Sequence, residues 1–102
     1  MVTLRPSHTQ PVALGELATQ LGLPAPGSAV AVAGVTLDSR SVRSGDLYAA
    51  LPGANVHGAS FAAGAAAAGA VAILTDPTGA EVITGAGVDL PVLVVPDPRA
   101  VL

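Results

Sequence analysis

The residues able to do chemistry in this chain crowd into one stretch, GVTLDSRSVRSGDLYAAL from Gly34 to Leu51, which holds Asp38, Arg40, Arg43, Asp46 and three serines. A hydroxyl such as that of Ser39 donates or accepts hydrogen bonds, and, together with the loop that follows, the stretch makes one polar loop pair with no visible catalytic apparatus. Asp38 reads as a turn residue at the end of an expected element. The loop that follows, PGANVHG from Pro52 to Gly58, adds a carboxamide at Asn55 and an imidazole at His57. A single loop histidine reads as a solvated polar residue, and His8 lies in a different loop with no metal-ligand spacing between the two.

Several reaction classes lack their residues. The four cationic side chains are all arginine, so there is no phosphate-loop lysine and no Schiff-base lysine. Ser39 is not in a nucleophile elbow, and the absence of cysteine removes disulfides, thiolate metal sites and a cysteine nucleophile. Asp38, Asp46, Asp76 and Asp97 each fall at the end of an expected element, where capping and turn duties account for them. A net charge of −3 provides no basic face for a polynucleotide, so no nucleic acid partner is expected. The uncharged run Ala59–Thr75 is mostly alanine and breaks at Gly69, so no membrane partner is expected either. The N-terminus, interrupted by Pro6, His8, Gln10 and Pro11, lacks the continuous apolar core of a signal peptide.

The elements that must position this chemistry alternate. Leu14, Leu17, Ala18 and Leu21 lie at helical spacing within Val12–Leu21, and Gly22 is placed to stop that helix. Val30, Val32 and Val35 predict one β-strand. The alanine-rich segment Ala59–Ala68 predicts a helix with Ser60 as N-cap and Gly69 as C-cap residue. AVAILTD reads as a buried strand, Thr78–Gly87 as a short glycine-weakened helix, and LPVLVVPD as a further strand. Gly79 reads as part of a variable segment, so that valine there should cost less than valine at Gly69. Asp97 and Pro98 predict the start of a last helix. The order gives an α/β fold: a small three-layer domain with a mixed or mostly parallel sheet flanked by helices. With a helix only begun at Leu102, the native chain is expected to continue.

The motifs T-L-D-S-R, S-G-D-L-Y-A-A-L, the loop Gly53–Gly58, the alanine helix and G-A-V-A occur here in order over Gly34–Asp76, and this run resembles the N-terminal domain of the Mur ligases. Among them it is most similar to the ligase that adds the third residue, meso-diaminopimelate or L-lysine, to the peptidoglycan stem peptide. LPVLVVPDPRAVL is similar to the segment leading toward the ATP-binding domain of such proteins. The resemblance implies that residues 1–102 form a single N-terminal domain, with about 97–102 beginning the connection to an absent central domain. It implies binding of the uridine diphosphate end of UDP-N-acetylmuramoyl-L-alanyl-D-glutamate, with Leu37, Ser39, Ala54, Asn55 and Val56 at the matching substrate-binding positions. No catalytic residue and no cofactor are expected in this domain; ATP and magnesium are expected in the central domain, and a C-terminal domain would complete the cytoplasmic enzyme. The fragment by itself is expected to be inactive. The alternatives are the first domain of the D-alanyl-D-alanine-adding Mur ligase and a stand-alone nucleotide-binding module.

Overall fold

The computed structural model describes residues 12–23, 30–53 and 56–101. Two short strands, β1 (Val12–Ala13) and β2 (Ala31–Val32), pair antiparallel around the helix α1 (Leu14–Gln20). A four-stranded parallel sheet follows, with β3 (Gly34–Thr36), β4 (Asp46–Ala49), β5 (Ala72–Thr75) and β6 (Val92–Val94) in sequential order. Register runs Val35 to Leu47, Tyr48 to Ile73 and Leu74 to Leu93. The central strands β4 and β5 are buried at every residue, which explains why they read as unbroken apolar runs instead of alternating ones.

Alternation along these strands divides the core in two. Leu47, Ala49, Ala72, Leu74 and Leu93 face α1 through Leu14, Leu17 and Ala18. Tyr48, Ala50 and Ile73 face the opposite layer, formed by α2 (Ala62–Ala68) and α3 (Pro77–Ala86) through Ala62, Ala65 and Ile83. The expected three layers are therefore present, with the main sheet parallel throughout. A four-residue helix, α4 (Pro98–Val101), ends the described chain with Pro98 at its first position, as expected. None of the helices among the described residues is long and apolar enough to cross a membrane.

Three expectations need correction. The strand expected across Val30, Val32 and Val35 is two strands, one in each sheet, because the chain turns at Ala33, whose N–H is drawn to the Gly45 carbonyl at 2.8 Å. Ser60 is not a helix cap: a 3-10 turn, Gly58–Phe61, precedes α2, and its cap is His57, whose side chain accepts from the Ala59 N–H. Gly79 is no part of a variable segment. It is buried in the first turn of α3, where a Cβ would run into Thr75 Oγ1 and stand 2.7 Å from His57 Cε1. Gly69 has the expected left-handed backbone, φ 115°, closing α2, and its own Cβ would lie 2.7 Å from the Ser44 Cα. Both positions are closed to larger residues, so the expected ranking of the two loses its basis.

Candidate functional site

At the carboxyl end of β3 the Thr36 hydroxyl turns back on the chain, accepting from the Asp38 N–H at 3.2 Å and donating to its carbonyl at 3.3 Å. Asp38 then caps the 3-10 turn Ser39–Ser41 by accepting from the Arg40 N–H at 2.9 Å. This is the turn duty its type predicts. Its carboxylate also takes the Arg40 Nε at 3.2 Å, and this side-chain bond, followed by the Arg40 N–H and the guanidinium charge, holds it below the usual carboxylate range. The Arg40 side chain is 89% exposed, so its pair with Asp38 is weak as a fold element.

Beside it, the carboxyl end of β4 carries Tyr48, whose phenol donates to the Gly58 carbonyl at 2.8 Å. Gly58 in turn donates its N–H to the Leu51 carbonyl at 2.8 Å, which draws Gly58 back against the end of β4. Burial pushes the Tyr48 phenol above its ordinary value and the nearby Asp38 carboxylate adds to this, while the Ser39 side chain works in the opposite direction.

These pieces enclose an open groove of about 480 Å³, lined by Leu37, Asp38, Ser39 and Arg40 from the first turn, Tyr48 and Leu51 from β4 and its end, and Val56, Gly58 and Phe61 from the loop and second turn. It lies outside the carboxyl ends of parallel strands, where open α/β sheets bind ligands. Leu37, Val56 and Phe61, at 56%, 50% and 50% exposure, are the large apolar side chains left exposed among the described residues, and all three border it.

The structure thus brings together Leu37, Ser39 and Val56 of the expected set; Ala54 and Asn55 lie outside the described residues. Sequence reasoning missed Phe61 and Tyr48 as lining residues. These are the chain's two aromatics, and both face one groove. It also misjudged His57, which is not solvated but 13% exposed and bonded through Nε2 to Asp76 Oδ1 at 2.8 Å. Arg43 does not line the groove; its N–H is bound to Asp46 Oδ2 at 2.9 Å. Among the described residues no group of three or more His, Cys, Asp or Glu side chains could hold a metal ion. The sequence has no lysine and so no phosphate-loop lysine.

The sequence model described as "Mur ligase family, catalytic domain" matches residues 31–102, more than two thirds of the chain and all of the groove. The chain belongs to the Mur ligase family. Two Streptomyces relatives of this Mur ligase chain, from S. avermitilis and S. coelicolor, are 58% and 57% identical over 93% and 94% of it; both are named UDP-N-acetylmuramoyl-L-alanyl-D-glutamate--2,6-diaminopimelate ligase. A 48% identical relative from Leifsonia xyli, over 97% of the chain, is named UDP-N-acetylmuramyl-tripeptide synthetase. The chain spans about a fifth of the length of these relatives. Its fold is shared with a solved D-alanyl-D-alanyl ligase from Acinetobacter baumannii, at TM-score 0.63 and 23% identity over 90% of this chain and 20% of that one.

Proposed function

We propose that this Mur ligase domain binds the uridine diphosphate end of UDP-N-acetylmuramoyl-L-alanyl-D-glutamate, on behalf of an ATP-dependent ligase that adds the third stem-peptide residue. The observation that carries the reading is the convergence of the exposed apolar side chains Leu37, Val56 and Phe61 on one groove that also holds the Ser39 hydroxyl and the Arg40 guanidinium. A flat base fits between apolar walls, its polar edge can be read by Ser39 and backbone groups, and Arg40 can turn from Asp38 toward a phosphate. The resemblance adds Ala54 and Asn55 to the proposed binding positions, Asn55 with a carboxamide that both donates and accepts.

The relatives' names favour diaminopimelate as the residue added and favour third-residue addition over D-alanyl-D-alanine addition, since the likeness to the latter ligase is one of fold. Phosphorylation of the glutamate carboxylate and attack by the incoming amine are assigned to domains outside this chain, with their ATP and magnesium. Affinity of this domain alone is weak, on the order of millimolar, because much of the ligand stays exposed. Titration with UDP, followed by backbone amide NMR, should shift resonances from Leu37 to Arg40 and around Val56–Phe61, and Ser39→Ala and Asn55→Ala should each weaken binding several-fold. Shifts confined to Ser60 and the Thr78 turn would refute the site.

A further inference from the structure

Apart from the groove, the described residues hold one close polar cluster, and it lies directly behind the groove wall. His57 sits between the lining residues Val56 and Gly58 in sequence. Its Nδ1 accepts from the Ala59 N–H at 2.9 Å, so the ring proton resides on Nε2 and is donated to Asp76 Oδ1 at 2.8 Å. The same carboxylate oxygen accepts from the Gly79 N–H at 2.7 Å and thereby caps α3. The imidazole lies against Gly79, where a Cβ would come within 2.7 Å of Cε1. Burial pushes the Asp76 carboxyl upward, but the Gly79 N–H and His57 together outweigh it and hold the group below its ordinary value.

Every polar atom of the ring is therefore committed, and the two partners are 19 residues apart. A cap on the 3-10 turn needs only an acceptor for the Ala59 N–H, which a short Asn, Asp or Ser side chain supplies. An imidazole does something further: it reaches past the cap to Asp76 and ties the turn to the start of α3, which packs beside it in the same layer. That turn carries Gly58, whose carbonyl receives the Tyr48 phenol, and Phe61, which walls the groove.

We infer that His57 is a positioning residue for the binding groove, held by Asp76, and sets where Gly58 and Phe61 stand relative to Tyr48. Its effect on ligand affinity rests on the proposed nucleotide reading; its effect on the groove wall does not.

Two substitutions separate the tie from the caps. His57→Asn keeps an acceptor for the Ala59 N–H but does not reach Asp76, and Asp76→Ser keeps a cap for α3 but does not reach His57. Each variant should melt cooperatively, shift the amides of Gly58, Phe61 and Tyr48 in the ligand-free protein, and bind UDP about fivefold more weakly. Loss of melting temperature with those amides unmoved, or with UDP affinity unchanged in a wild type that binds it, would mean that the pair serves stability alone and overturns the inference. If UDP does not bind the wild type, the nucleotide reading fails and the ligand-free shifts still decide the role of His57. Should neither variant fold, nitrogen NMR of the wild-type imidazole decides: Nε2 protonated and Nδ1 bare is expected, and a proton on Nδ1 defeats the arrangement.

Discussion

The two faces of the sheet are built from different residues and serve different ends. Toward α1 the core is aliphatic, with Leu14, Leu17, Leu47, Leu74 and Leu93 meeting in one cluster. Toward α2 and α3 it is made of small residues, Ala50, Ala59, Ala62, Ala65 and Ala70, around Tyr48, Ile73 and Ile83. Leucine buries more apolar surface per residue and so does more for stability. The same face carries the polar contacts: the Tyr48 phenol reaches the Gly58 carbonyl, the Thr75 hydroxyl reaches the Ala50 carbonyl at the neighbouring strand end at 2.9 Å, and the His57 imidazole reaches Asp76. Every buried side-chain nitrogen and oxygen among the described residues is satisfied. One face thus supplies bulk, and the other supplies polar precision at the strand ends.

The contrast can be broken most forcefully at Leu17. Leu17→Ala should cost about 2–5 kcal/mol in denaturant melts by leaving a cavity under α1, while the amides of the groove keep their positions in the folded protein. Movement of the groove amides as large as that around α1 would show that the two faces are not separate. On the other face, Gly79→Ala should cost about 1–3 kcal/mol by overpacking against Thr75 and His57, and should disturb the groove as well. Gly69→Ala, strained by its φ of 115° and by Ser44, should fall in the same range without reaching Phe61. A Gly79→Ala variant as stable as wild type would mean that α3 can retreat from the sheet.

Smaller effects sharpen the distinction. Tyr48→Phe removes the hydrogen bond to Gly58 and should lower stability by about 1 kcal/mol, with faster amide exchange through the Pro52–Gly58 loop. Unchanged exchange would show that the loop is held by its backbone alone. The pH dependence of Asp76 is the least of these effects. Its carboxyl is easier to ionise folded than unfolded, so its contribution is complete above the ordinary carboxylate value near ~3.9 and is lost as pH falls through the depressed folded value. Asp76→Asn should therefore lose less stability than wild type between about pH 5 and pH 2. Parallel curves would remove Asp76 from the acid response.

Much of this layout was legible along the chain because its signals are local. Unbroken apolar runs marked β5 and β6, glycines closed α1 and α2, and Asp38 declared its turn by type. What escaped depends on contacts between distant residues. Nothing near Val32 announces that Gly45 will draw the Ala33 N–H and divide one expected strand between two sheets. The partnership of His57 with Asp76 spans the 3-10 turn, α2 and β5, and the alanines beside Ser60 made a serine cap the natural local choice. The resemblance pointed to Leu37 and Val56, and both the resemblance and its hydroxyl to Ser39, all three of which line the groove. Phe61 was missed because only the 3-10 turn ahead of α2 decides which way its ring points.

The sequential order of β3, β4, β5 and β6 also bears on how the molecule is made. Each parallel strand can dock beside the one synthesised just before it, so the sheet and its α2 and α3 layer can assemble stepwise as the polypeptide emerges, through contacts of modest sequence separation. The helix α1 is made first yet waits longest: Leu14 and Leu17 share their cluster with Leu74 and Leu93, which arrive last. During synthesis this leucine-bearing helix, which precedes the main sheet, must keep its apolar stripe uncommitted until β6 has been delivered, and that interval is when the nascent domain is most open to aggregation and to chaperone capture.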